Sequence, residues 1–196
     1  MRKVSIFIVM FVVVLMFSTS SFAQNEYRPF GIGVNVLDLN GIMSGAGATV
    51  YLPINLAPGF RLEPLIGLNI TSDEYDSGAE YSQTDMILGI GIFPTIRKGN
   101  AVIYVGGRVG IGLGSSESKN SNGDKTSDQS DFSFGLGPAL GGEYYFNPHL
   151  SLGGEVSIMY RHTTMTDKAI FDYEEDQEDT ESSIGTQGLV FIRFYF

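Results

Sequence analysis

Eight apolar segments of this chain alternate with a period of two, and one face of each is free of charge. They run roughly over 28–37, 44–53, 59–71, 83–96, 101–114, 131–146, 150–162 and 183–196. In the third segment the uncharged face reads Phe60, Leu62, Pro64, Ile66, Leu68, Ile70. In the fifth it reads Ile103, Val105, Gly107, Val109, Ile111, Leu113. The opposite face carries Arg61, Glu63, Asp85, Arg108, Glu143, Glu155, Arg161 and Arg193, four of each sign. Arg28 shares the parity of the uncharged face, but it stands at the edge of its segment, where an interfacial charge is tolerated. Glycines interrupt the apolar runs, which disfavours helix. A strand places alternate side chains on opposite faces, so this pattern predicts an all-β chain.

Eight apolar faces need a large apolar surrounding. A small barrel has only a narrow interior to offer, so the economical arrangement turns the apolar faces to lipid and the charged faces inward. Arg or Lys on the lipid face would cost about 2–4 kcal/mol at mid-membrane. Backbone groups in lipid must all be paired, so the sheet must close. The expected fold is an eight-stranded antiparallel up-and-down transmembrane β-barrel. Side chains can just fill a ring of that size. Inward glycines such as Gly89, Gly91, Gly110 and Gly112 leave room for long Arg, Glu and Tyr side chains. Buried charges are costly unless paired, so the eight inward charges predict a salt-bridge network in a plugged lumen. Pro64, Pro94 and Pro138 fall inside the proposed strands, where bulges or shifted strand ends are expected because proline cannot donate to a ladder.

The start of the chain agrees. Arg2 and Lys3 precede an apolar run over 4–17, and small residues at Ser21 and Ala23 follow it. That is the pattern of a secretory signal peptide over 1–23, with 24–196 as the mature barrel domain. The connections also alternate. Turns near 53–58, 97–100 and 146–149 are short, whereas 72–82, 115–130 and 163–182 are long and polar. Outer-membrane barrels have short periplasmic turns and long extracellular loops. Twelve Lys and Arg against 22 Asp and Glu give a net charge of −10, which argues against a nucleic-acid partner. The absence of Cys excludes disulfides, thiolate metal sites and a lipoprotein anchor.

These features, with Tyr144-Tyr145-Phe146-Asn147-Pro148-His149-Leu150-Ser151-Leu152 and the ending Phe191-Ile192-Arg193-Phe194-Tyr195-Phe196, resemble the small outer-membrane β-barrel family that includes OmpX and the OmpA transmembrane domain. The resemblance covers the mature chain. It implies residence in the cell outer membrane, among lipid and lipopolysaccharide. It also implies that Phe194 and Phe196 form the terminal signal read by the barrel assembly machinery. The family pattern favours Gly five residues before the end, where this chain has Phe191. The expected role is structural and non-enzymatic, as a monomer without cofactor.

Other readings compete. One is a narrow channel for small or hydrophobic solutes. Another is a lipid-modifying enzyme, because His149, Ser151 and Glu155 have the residue types of a base, a nucleophile and an orienting acid. A third is a secreted, soluble ligand-binding barrel. The acidic loop holds Asp172, Glu174, Glu175 and Asp176, candidates for divalent cations bridging to lipopolysaccharide. The Asn120-Ser121-Asn122-Gly123-Asp124 stretch hints at a Ca²⁺ loop. Lys125 then falls where an EF-hand needs its turn glycine, so a loop tip is expected instead.

Overall fold

The computed structural model describes residues 28–36, 48–57, 59–75, 77–168 and 176–196. The predicted signal peptide, residues 37–47 between and within the first two segments, and Asp172, Glu174 and Glu175 lie outside the described residues. The strands are β1 (Gly31–Asn35), β2 (Ala48–Tyr51), β3 (Ile54–Ala57), β4 (Phe60–Glu74), β5 (Glu80–Lys98), β6 (Ala101–Lys119), β7 (Lys125–Asn147), β8 (Leu150–Asp167) and β9 (Gln177–Tyr195). All pairings are antiparallel, in the order β2-β1-β9-β8-β7-β6-β5-β4-β3. A further β2–β4 pairing closes the ring.

β2 and β3 pair with β4 in one register as far as Asn55, with a shift between Asn55 and Ala57, and act as a single strand interrupted at Pro53. The ring therefore has eight strand positions. The sequence expectation of a turn from Pro53 needs correction, because the strand continues to Ala57 and β4 begins at Phe60. Gly31 N–H donates to Pro53 O at 2.9 Å, and Leu52 N–H donates to Pro64 O at 2.8 Å, so the interruption stays hydrogen-bonded.

The prolines shift no register. Pro64, Pro94 and Pro138 each keep a partner on one side, namely Ile90, Phe60 and Gly107. On the other side each coincides with a short gap in the ladder, and pairing resumes in the same register beyond it. A proline removes one donor, on one side only. Two register pairs are missing at each gap, on that side alone, and the expected bulges at these positions are absent.

The wall follows the predicted parity. Ile103 is 60% exposed and Tyr104, one residue on, is 1% exposed. Ile66, Ile96, Leu140, Val156 and Ile184 are exposed, whereas Arg61, Glu63 and Arg193 are at most 1% exposed. This inverts the water-soluble arrangement, in which charges are almost never fully buried and broad apolar patches are avoided. It suits a barrel with lipid outside.

The strands are longer than the sequence pattern suggested. β6 and β7 run for 19 and 23 residues, against about 9–11 needed to cross the bilayer. The connections shrink to 75–79, 120–124 and 168–176. Tight turns carry the other end. Gly99, at φ +60°, takes the left-handed conformation that closes β5 to β6. At the far tip Asn120 Oδ1 accepts the N–H groups of Asn122 and Asp124, both at 2.9 Å, and Gly123 sits at φ +84°. That stretch is a hairpin turn in which Asn120 bonds its own loop.

Candidate functional site

Six inward side chains form one chain of alternating charge across the lumen. Arg61 on β4 pairs with Glu143 on β7. Glu143 Oε2 accepts from Arg193 Nη1 on β9 at 2.9 Å. Arg193 Nη2 lies 2.5 Å from Glu63 Oε2 on β4. Glu63 Oε1 accepts from Arg108 Nη2 on β6 at 2.6 Å. Arg108 then grips Glu155 on β8 with two bonds, Nε to Oε1 at 2.5 Å and Nη2 to Oε2 at 2.7 Å. Three cations and three anions cancel, so the plug is neutral as a unit. Paired, hydrogen-bonded groups of this kind are the form in which charge survives burial.

Tyrosines complete the network. Tyr104 OH donates to Glu155 at 3.0 Å, Tyr145 OH to Glu143 at 2.8 Å, and Tyr195 OH to Glu143 at 3.0 Å. Asn55 Oδ1 accepts from Arg61 Nε at 3.0 Å. Aromatic rings cover the guanidinium faces. Arg193 lies 3.6 Å from the centroid of Phe191, and Arg108 lies 5.0 Å from that of Phe93. Glycines make the space. A methyl at Gly141 would strike Tyr104, and one at Gly153 would strike Phe191.

Two of the eight predicted lumen charges stand apart. Asp85 accepts from Asn69 Nδ2 and Gln83 Nε2, both at 3.0 Å, higher in the lumen. Arg161 is exposed and forms no ion pair among the described residues. Asp131, absent from the predicted set, also faces inward and lines the lumen. Its signal was available, since it shares parity with Ser133 at the first position of its segment. Phe93 and Phe191, fully buried inward aromatics, were also missed. Above the plug is a cavity of about 500 Å³, with Tyr51, Arg108 and Glu155 among its lining residues.

The remaining candidates are placed as follows. His149 bonds through Nδ1 to the Tyr195 carbonyl at 2.8 Å, Ser151 Oγ donates to Glu143 at 3.2 Å, and Glu155 is occupied by Arg108 and Tyr104. These three groups have separate partners and form no catalytic unit. Phe194 is 49% exposed on the outer wall, and Phe196 N–H donates to Phe30 O at 2.9 Å. Asp176 is exposed beside β9.

The model of the outer membrane protein beta-barrel domain matches residues 9–187 of this sequence. The chain belongs to that outer-membrane family. Its place in the cell outer membrane follows. Among solved structures it is similar to a major outer membrane protein of Thermus thermophilus, at 14% identity and a TM-score of 0.51, over 85% of this chain and 97% of that one. It is also similar to CarO of Acinetobacter baumannii, at 12% identity and a TM-score of 0.34, over 88% of this chain and 100% of that one. No curated protein matches the sequence. At 14% identity the Thermus thermophilus structure speaks to the fold alone.

Proposed function

We propose that this outer-membrane barrel serves a structural role in the envelope, non-enzymatic, with a closed lumen and acidic outer loops. One observation carries the reading: the unbroken Arg61–Glu143–Arg193–Glu63–Arg108–Glu155 chain spans the lumen with side chains at most 9% exposed. Opening a pore there would strip buried charges of their partners, which costs several kcal/mol per pair. The barrel stands alone as a monomer, since closure leaves no sheet edge. Phe194 and Phe196 present the end read by the barrel assembly machinery. Acidic loop residues, Asp176 among them, meet lipopolysaccharide through bridging divalent cations.

The cavity above the plug favours a second reading, a narrow passage for small solutes. Planar-bilayer recording of the purified full chain separates the two. The closed lumen gives no steady conductance, and a steady open channel in the unmutated protein rejects it.

A further inference from the structure

At the long-hairpin end the described lysines are all matched within the fold. Lys119 lies 3.2 Å from Glu117, Lys125 lies 2.7 Å from the same carboxylate, and Lys168 lies 3.6 Å from Asp128. The tight-turn end is the reverse. Beyond the plug, its charged side chains among the described residues are Arg28, Arg97 and Lys98, all cationic. None of the three has an ion-pair partner among the described residues. A rim of one sign attracts anions from outside the chain.

Lys98 is the cation turned to the lipid side. It shares the outward parity of Ile96, which is 75% exposed. Arg97 has the opposite parity and covers the lumen end, its guanidinium 5.1 Å from the Tyr145 ring centroid and its Nε donating to Gly99 O at 3.1 Å. Register sets a phenol beside Lys98. Ala101 on β6 is the partner both of Lys98 on β5 and of Tyr144 on β7. Its methyl leaves a notch between two long, exposed side chains. Their strands stand two spacings apart, roughly 10 Å, so both can reach one phosphate between them. The notch is held in place. Tyr145 N–H donates to Asn100 O at 2.8 Å, which ties the turn after Lys98 to the strand of Tyr144. Tyr144 packs edge-on against Phe146, ring centroids 5.6 Å apart. Next to the notch, Ile103 and Val105 are exposed apolar wall. A tyrosine with apolar wall on one side and water on the other marks the headgroup level.

We propose that the notch over Ala101 binds an anionic glycerophospholipid of the inner leaflet, the leaflet that the short periplasmic turns meet. Lys98 Nζ and the Tyr144 hydroxyl donate to its phosphate, and its acyl chains lie along Ile103 and Val105. A zwitterionic lipid offers the same phosphate, but its own cation is repelled by Arg97 and Lys98, so the selection is for net negative charge. The test is native mass spectrometry of the full chain with equal amounts of phosphatidylglycerol, phosphatidylethanolamine and phosphatidylcholine of identical acyl chains. Phosphatidylglycerol is retained in preference. Lys98→Gln lowers that preference about fivefold. Tyr144→Phe, which keeps the ring, lowers phosphatidylglycerol retention about threefold. Lys119→Gln, at the opposite end, leaves it unchanged. Equal retention of the three lipids, or an undiminished preference in Lys98→Gln that shows heat-modifiable migration, overturns the proposal. Displacement of the lipid by glycerol phosphate also overturns it, because the site would then be one for a soluble anion. If Lys98→Gln does not fold, the lipid ranking and Tyr144→Phe decide. A steady bilayer conductance would reject the closed lumen and leave this ranking untouched, so the two failures are distinguishable.

Discussion

Arg193 on the last strand reaches across β8 to Glu143 on β7, Nη1 to Oε2 at 2.9 Å, with both side chains fully shielded. The same guanidinium meets Glu63 on β4, on the other side of the closing seam. One residue of β9 therefore ties strands on both sides of the closure. Replacing Arg193 with Met takes one of two cations from each of the buried carboxylates Glu143 and Glu63, and breaking a buried pair costs about 3–5 kcal/mol. Urea unfolding in lipid should show a loss of that order. A loss below about 1 kcal/mol would mean that the ion chain contributes little to holding the barrel.

The glycines beside the plug give a second expectation. Gly153 faces Phe191 and the Gly142 carbonyl so closely that a Cβ would collide with both. Gly185, on the same lumen parity of β9, has nothing within 4 Å of a built Cβ. Gly153→Ala should cost about 1–3 kcal/mol by overpacking. Gly185→Ala should lie within about 0.5 kcal/mol of the parent. Paired unfolding curves check both, and equal losses would show that the cradle is not tight.

The period of two was enough to sort the wall. Ile103 out and Tyr104 in, or Ile192 out and Arg193 in, follow from alternation because lipid and lumen impose opposite chemistry on adjacent residues. The ends of the strands were not legible. Ser115, Ser116, Glu117, Ser118 and Lys119 continue β6, but beyond the lipid both faces meet water and no alternation marks them. The pairing within the plug was equally hidden. Which Glu meets Arg193 depends on how eight strand positions stagger around a ring, a relationship between distant segments that no local pattern carries. Pro53 misled for a local reason. Its hydrogen-bonded neighbours let a strand pass through a residue that usually ends one.

The outer tip of β6 and β7 should respond to pH. Lys125 Nζ lies 2.7 Å from Glu117 and 3.0 Å from Asp128, beyond the apolar band that ends near Leu113 and Phe132. The Lys125 hydrogen bond holds both carboxyls below their usual range, and those bonds hold the Lys125 ammonium above its own. Depressed carboxyls stabilise the tip fully above their unfolded values, and that contribution is lost as pH falls through the depressed ones. The raised lysine contributes below its unfolded value and loses this as pH rises through its folded one. Amide exchange at Ser118 and Thr126 should therefore be slowest, after correction for intrinsic rates, between those limits. Protection that is flat across the carboxylate range would remove the ion pairs from the account.

His149 yields the last expectation. The Tyr195 carbonyl can only accept, so Nδ1, 2.8 Å away, carries the proton. Arg28 Nη2 can only donate, so Nε2, at 3.3 Å, accepts. The Nδ1–H tautomer thus clasps Arg28, three residues before β1, to Tyr195 at the end of β9. A base for Ser151 would need a free nitrogen beside that hydroxyl, but Ser151 is turned to Glu143. His149→Ala should therefore lower stability by about 1 kcal/mol through the lost clasp. Lipid A mass spectra from cells with either version should be the same. A changed lipid A pattern with unchanged stability would reverse the assignment and make His149 a chemical group rather than a fastening.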